Sequence, residues 1–369
     1  MKKQTIGFIG LGLIGGSIAK SLKNTFQDNI NLIAYDTNES TLEAALTEGT
    51  IDQAVHQIDA AFSDCSFLFL CAPVACNNQN LGELSRILSD QCILTDVGSV
   101  KSEIHDAISN AGLDHCFIGG HPMAGSEKTG FHNATDRLLE NAFYILTPTS
   151  SVPHSMIVRY KELVQQIGAI PLILSFQEHD YVTAAISHLP HIIASSLVNL
   201  VSNSDNETHI MKTIAAGGFK DITRIASSSS DMWKQITLSN KENIIHLLHD
   251  YIHSLVDIMH TIQDHDEEAL YHFFSEACEY RNTLTDTASG PIKKIPLIYV
   301  DIPDKTGIIA SIATILASHS ISIKNIGIVH NREFEEGALR IEFYDERASY
   351  QATHVLNESG YHVIPIANK

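Results

Sequence analysis

Over residues 4–174, short apolar runs rich in β-branched residues alternate with longer amphipathic stretches. The runs at 5–9, 31–35, 67–71, 93–96, 116–119, 143–146 and 170–174 read as strands, and 14–23, 40–48 and 99–110 carry helical spacing between them. That alternation predicts an α/β region built on a largely parallel, doubly wound sheet. After Ser175 the strand pattern stops, and 176–283 reads as helices, with runs such as 184–200 and 241–257. Residues 285–295, within TDTASGPIKKIP, read as a linker. From Leu297 a strand, helix, strand, strand, helix, strand order is expected at 297–302, 307–317, 321–328, 337–344, 347–358 and 362–366. This is the βαββαβ arrangement of ferredoxin-like folds. Three domains follow: 1–174, 175–284 and 296–369.

Charge narrows the partners. The 369 residues carry a formal net charge of −19, with 20 histidines neutral at pH 7. Such a balance repels phosphate backbones and anionic lipid, so neither nucleic acid nor a membrane surface is expected as a partner. An anionic substrate would have to be met by a few placed cations. The apolar stretch around 191–201 reads as too short to span a bilayer, and no signal region follows Lys2-Lys3. Six cysteines without Cys-x-x-Cys spacing suit a reducing cytoplasm.

Gly10-Leu-Gly12-Leu-Ile-Gly15 follows the first strand and opens the first helix. In that context the glycines read as a dinucleotide fingerprint. Gly10 permits the tight turn, Gly12 lets the backbone approach a diphosphate, and Gly15 lets the helix pack against the sheet. Asp36 ends the second strand, at the spacing of an acid that binds ribose hydroxyls and repels a 2′-phosphate. NAD is therefore the expected cofactor, held by Gly10, Gly12, Leu13, Ile14, Gly15, Asp36 and Pro73; the alternative for Asp36 is a helix cap.

Two further glycine-bearing segments lie where strands are expected to end: Asp96-Val-Gly98-Ser99-Val-Lys101 and Gly119-Gly120-His121-Pro122. Ligands bind at the carboxyl ends of strands in open α/β sheets. His121, just past such an end, is expected beside the nicotinamide, and imidazole suits removal of a hydroxyl proton near neutral pH. Lys220 and Arg224 stand four apart after Gly217-Gly218. They read either as a clamp for a carboxylate or as members of an ion pair with Asp221 or Asp231. On the helix containing His246, His249, His253 and His260, the stripe Ile245, Leu248, Ile252, Leu255 and Met259 is the expected core face. The histidine stripe is then the solvated side, and no metal site is expected.

In order, these segments resemble the prephenate dehydrogenase family: the fingerprint, then Asp96–Lys101, then the His-Pro-x-Ala-Gly-x-Glu segment from His121 to Gly130, then Phe219 to Trp233. The tail, with Asp301-Ile-Pro-Asp304-Lys-Thr-Gly307 and Asn325, looks like an ACT domain. Ser230 and Thr306 stand where these patterns often have proline. The resemblance implies NAD-dependent oxidative decarboxylation of prephenate, with hydride leaving C4 and carbon dioxide leaving C1. It implies that His121, assisted by Ser99, bonds the 4-hydroxyl, and that Arg224 holds a substrate carboxylate. Lys220, His191, Ser126 and Glu127 would be further contacts. It implies a homodimer and tyrosine as effector, with Asp304, Gly307 and Asn325 as the regulatory residues. An arogenate or dual-specificity dehydrogenase is the alternative within the class, and a non-catalytic dinucleotide and amino-acid sensor the alternative outside it. A fused mutase segment is not expected.

Overall fold

Successive side chains of the strand Cys65–Leu70 enter two different hydrophobic clusters, Phe67 and Phe69 one, Leu68 and Leu70 the other. A strand covered on both faces must be apolar almost throughout, and this one is. In the computed structural model, which describes residues 3–125, 128–284, 296–303, 305–329 and 337–364, it lies within a five-stranded parallel sheet. The elements run β1 (Gln4–Ile9), α1 (Leu13–Phe26), β2 (Ile30–Tyr35), α2 (Glu39–Thr47), β3 (Gln53–Val55), β4 (Cys65–Leu70), α3 (Val74–Ile87), β5 (Ile93–Asp96) and α4 (Ser102–Asn110). The sheet order is β3-β2-β1-β4-β5. The cluster on one face contains Ile18 and Leu22 of α1; the other contains Leu81 and Leu84 of α3 with Ile104 and Ile108 of α4. The sheet is therefore covered on both sides, as its sequence pattern predicts.

Beyond β5 the expectation of a parallel sheet needs correcting. β6 (Ile118–Pro122), β7 (Phe143–Pro148), α5 (His154–Gln166) and β8 (Ile170–Ile173) follow. The three strands form a separate sheet in which β6 and β7 are antiparallel and β7 and β8 parallel. It touches β5 through a parallel bridge between Leu94 and Phe117. The strand expected at 116–119 also runs on to Pro122, so His121 lies inside β6, opposite Ile145, and not in a loop after it. Two glycines and a proline disguise that strand. Gly120 is required there by close approach: a Cβ would stand 2.6 Å from the Asp96 carbonyl oxygen and 2.9 Å from the Tyr160 hydroxyl. The short β3 has no counterpart in the sequence reading.

Helices follow: α6 (Phe176–Thr183), α7 (Leu189–Ser204), α8 (Ile210–Ile214), α9 (Gly217–Thr223), α10 (Ser230–Ser239), α11 (Lys241–Gln263) and α12 (Glu267–Thr283). A π turn over Ala184–His188 joins α6 to α7. A wider turn accommodates Pro190, which lacks the N–H of a regular helix. The joined run Phe176–Ser204 is 29 residues long with a window hydropathy of 1.4, long and apolar enough to cross a membrane by those measures. This corrects the shorter reading at 191–201. The same run nevertheless buries His179, Asp180, His188 and His191. The expectation for α11 fails as well: Ile245, Ile252, Leu255 and Met259 are exposed, and Ile244 is its buried residue. Periodicity identified an apolar stripe correctly, but among the described residues of the first unit it stays exposed.

The chain divides into two compact units, Met1–Gly290 and Pro291–Lys369. In the second, β9 (Leu297–Ile302), α13 (Ile308–Ser318), β10 (Ile323–Val329), β11 (Gly337–Phe343), α14 (Glu346–Glu358) and β12 (His362–Ile364) form a βαββαβ order. The four-stranded sheet is antiparallel, in the order β10-β11-β9-β12. Central β9 alternates half-buried and buried positions, the pattern of a sheet with helices on one face. Ile298, Val300, Ile312, Leu316, Leu339, Ile341 and Leu356 make its core. The expected linker 285–295 and Asp304 lie outside the described residues.

Candidate active site

The turn after β1 has the shape that a bound diphosphate needs. Gly10 sits at φ +97° and its N–H donates to the Tyr35 carbonyl at 2.8 Å, which ties the turn to β2. A Cβ on Gly12 would meet nothing within 4 Å, whereas one on Gly15 would stand 2.6 Å from the Gly10 carbonyl oxygen and 2.9 Å from Cys71 Cβ. The open side of the turn is therefore at Gly12 and the packed side at Gly15. Gly12 caps α1 without a side chain, and no acidic residue stands in the first turn. The N–H groups of Leu13 and Ile14 have no partner within the helix, so that end suits an anion. Asp36 accepts from the Leu11 N–H at 2.7 Å with one oxygen and from the Asn38 N–H at 2.8 Å with the other. Each oxygen retains a lone pair for a ribose hydroxyl. Pro73 is the N-cap residue of α3, at the end of the segment that follows β4. These residues fit a dinucleotide.

His121 is drawn into a chain of side chains that the sequence did not suggest. Its Nδ1 lies 2.7 Å from Nε2 of His179, and Nδ1 of His179 lies 2.7 Å from Oδ1 of Asp180. Both His179 and Asp180 are on α6 and fully buried. Asp180 in turn accepts from the backbone N–H groups of Lys101 at 2.8 Å and Ser102 at 2.7 Å, and from the Ser102 hydroxyl. It caps α4 from outside, which explains why that helix begins at Ser102 and not at Ser99. Burial pushes the Asp180 carboxyl upward, but these hydrogen bonds outweigh it and hold the group below its ordinary range. Lys101 reaches the other way, donating to Asp96 and, at 2.8 Å, to the Gly120 carbonyl beside His121. Its ammonium is pulled below the usual lysine value by burial, against the opposing pull of Asp96.

His121 itself is held well below the ordinary histidine value, first by burial and then by the neighbouring His179, Lys101 and His188. At neutral pH it is an uncharged ring, able to accept a proton. Ser99 is half-buried in the loop between β5 and α4 and makes no side-chain hydrogen bond among the described residues. Its neighbour Ser102 carries the contact to Asp180.

Behind α6 the π turn points His188 inward, where its Nδ1 lies 3.1 Å from Asn240 Nδ2; the same amide donates to the Asp180 carbonyl at 2.7 Å. Burial lowers His188 to about 4. His191 stacks on Trp233, ring centroids 3.5 Å apart and 16° from parallel, and the buried indole N–H has no partner among the described residues. Lys220 is exposed in the last turn of α9, and Arg224 begins a short 3₁₀ turn to Ser227. Helix α7, which carries His191 near its start, packs against both segments. Asp231, considered as a partner for the Lys220–Arg224 pair, meets Lys234 at 3.0 Å. Ser126 and Glu127 lie outside the described residues. Of the residues expected in the second unit, Gly307 adopts φ +86° before α13, and Asn325 is exposed on β10.

Because β6 runs parallel to β5 where they touch, His121 stands at the same carboxyl edge of the sheets as Asp96. A neutral imidazole beside a dinucleotide-binding sheet is the equipment of a dehydrogenase, and that is the class the fold and site define. The comparisons with known proteins narrow it. Residues 18–172 match the family described as prephenate dehydrogenase, nucleotide-binding domain, and residues 175–276 the family described as prephenate dehydrogenase, dimerization domain. A prephenate dehydrogenase of Bacillus subtilis is 39% identical over 346 residues, 93% of each chain. A cyclohexadienyl dehydrogenase of Zymomonas mobilis is 30% identical over 76% of this chain and 95% of its own. The crystal structure of prephenate dehydrogenase from Aquifex aeolicus with hydroxyphenyl propionate and NAD⁺ superposes with a TM-score of 0.71 at 34% identity, covering 77% of this chain and 99% of that one. The chain belongs to the prephenate dehydrogenase family.

Proposed function

We propose that this chain oxidises prephenate with NAD⁺ to 4-hydroxyphenylpyruvate and carbon dioxide. The observation that carries the reading is the neutral His121 ring, held at the carboxyl edge of a dinucleotide-binding sheet in a member of this family. NAD⁺, when bound against Gly10, Gly12, Leu13, Ile14, Gly15, Asp36 and Pro73, supplies the hydride acceptor. His121 takes the 4-hydroxyl proton as the C4–H bond is lost, so that C4 becomes a carbonyl. Loss of carbon dioxide from C1 then sends an electron pair through the ring to the C4 oxygen, which recovers the proton as the ring becomes aromatic. Ser99 assists at the hydroxyl. Arg224 is suited to bidentate contact with a substrate carboxylate, with Lys220, His191, Ser126 and Glu127 as further contacts.

The same reading assigns residues 1–174 to NAD binding, 175–284 to substrate contact and homodimerisation, and 296–369 to an ACT-type regulatory domain that responds to tyrosine through Asp304, Gly307 and Asn325. The exposed apolar faces of α11 and α12 favour the dimer, and the βαββαβ topology of the second unit favours the ACT assignment. Six free thiols favour the cytoplasm. Arogenate, which carries an amine where prephenate has a ketone, is the second substrate to consider, since a cyclohexadienyl dehydrogenase stands among the relatives.

One experiment tests the reading: NADH absorbance from purified protein with prephenate or arogenate, with and without tyrosine, for the full chain and for one ending at Ser289. Turnover should require His121, with His121→Asn losing about two to four powers of ten in kcat while NAD⁺ still binds. The shortened chain should keep turnover and lose most tyrosine sensitivity. No NADH from either substrate overturns the assignment, and undiminished sensitivity of the shortened chain moves the inhibitor to the active site.

A further inference from the structure

We infer that His179 and Asp180 are positioning residues that fix the tautomer of His121, with its proton on Nδ1 and its lone pair on Nε2. The inference rests on the proposed role of His121 as the proton acceptor, but its decisive measurement does not depend on turnover.

The direction of the chain is imposed from its buried end. Asp180 receives two backbone N–H groups and a hydroxyl at the start of α4, an environment that only an ionised carboxylate satisfies fully. An ionised carboxylate accepts and cannot donate, so His179 must present Nδ1–H to it across 2.7 Å. A singly protonated His179 then has its lone pair on Nε2, 2.7 Å from Nδ1 of His121. A contact of that length between two ring nitrogens requires one proton, and His121 supplies it. Its Nε2 is left as the basic nitrogen, which is the arrangement by which a carboxylate sets an imidazole's tautomer in hydrolytic triads, here with a second imidazole interposed.

The charged and titratable groups facing this chain agree with the assignment. From the β5–α4 side come Lys101 and its partner Asp96, from α6 come His179 and Asp180, and from the π turn comes His188, hydrogen-bonded to Asn240. A second proton on His179 would reverse the contact. His179 would donate to His121, His121 would carry its proton on Nε2, and the ring would be unable to take the hydroxyl proton. The chain also ends on a fully buried carboxylate.

The test is ¹⁵N NMR of histidine-labelled, full-length protein at neutral pH, with the His121 signals assigned by their loss in His121→Asn. The expected result is a protonated Nδ1 and an unprotonated Nε2 on His121; a proton on Nε2 overturns the inference. Variants at the middle of the chain give a second reading. His179→Leu should lower kcat by about 10- to 1,000-fold, a share of the usual weight of acid–base catalysis, with KM nearly constant and the acidic limb of the kcat profile displaced. His179→Gln, whose amide can accept from His121 and donate to Asp180, should recover at least part of that loss. A glutamine variant no better than leucine would reduce His179 to a packing residue and overturn the inference. If the leucine variant fails to fold, the NMR result decides alone.

Discussion

Phe8, Phe67 and Phe69 in the sheet region have at most 1% of their surface exposed, whereas Ile245, Ile252, Leu255 and Met259 on α11 have 47–50%. Both sets follow from clear patterns in the sequence, one from near-continuous apolar strands and the other from a helical stripe. The difference lies in what covers them. The sheet is covered by helices that the same stretch of chain supplies. The helical region adds Tyr271, Phe273, Phe274 and Tyr280 of α12 to the exposed apolar surface, more than scattered surface residues explain. Apolar spacing tells which side of an element avoids water, and says nothing about whose atoms will do the covering.

The largest effect that would separate the two regions is on assembly. Ile252→Asp together with Leu255→Asp should weaken the proposed dimer by about two to four powers of ten, since each buried aliphatic side chain is worth about 1.5–3 kcal/mol. Light scattering through a dilution series measures it, with NAD⁺ affinity as the control that should stay put. A dimer as tight as the parent would mean that another face does the covering. Next in size, Phe69→Ala should cost about 3–5 kcal/mol of stability. The resulting fall in Tm should be the same at every protein concentration, because the sheet completes its own core; a loss that disappears at high concentration would show that it does not. Smallest, Asp36→Ala should narrow the preference for NAD⁺ over NADP⁺ in kcat/KM by about tenfold, roughly 1.4 kcal/mol, without touching assembly. Equal use of both cofactors by the parent would refute the role given to Asp36.

The sheet region was legible because its signals are local. Strand, glycine turn and helix follow one another within a short stretch, and Asp36 is placed by spacing alone. The βαββαβ tail was legible for the same reason. The far end of β6 was not, because Gly120 and Pro122 are poor strand formers; Gly120 is there for its close approach to Asp96 and Tyr160. His121 stands out in the sequence, but its place inside β6 does not. His179 and Asp180 gave no signal at all: they are two polar residues in a helical pattern, and only the fold brings them to His121 and to the start of α4. Lys101 belongs to a motif visible in the sequence, whereas its inward turn toward Asp96 and Gly120 depends on the fold. The motif Phe219 to Trp233 did lead to Trp233, though not to its stacking on His191.

The π turn at Ala184–His188 has a geometric consequence for the helix that contains it. His179 and His191 are twelve positions apart, which in regular winding would set them about 120° apart around the axis. A turn closed by i→i+5 bonds advances less per residue, so it unwinds part of that offset. Both histidines can then look inward from what is nearly a single rod, one toward the proton chain and the other toward Trp233. His188, at the end of the wide turn, is the extra inward-facing side chain that the slower winding makes room for. Shortening the turn by one residue would therefore change which way the downstream half of the rod faces or remove the room for His188, even though no group that touches a hydroxyl or a carboxylate had been altered.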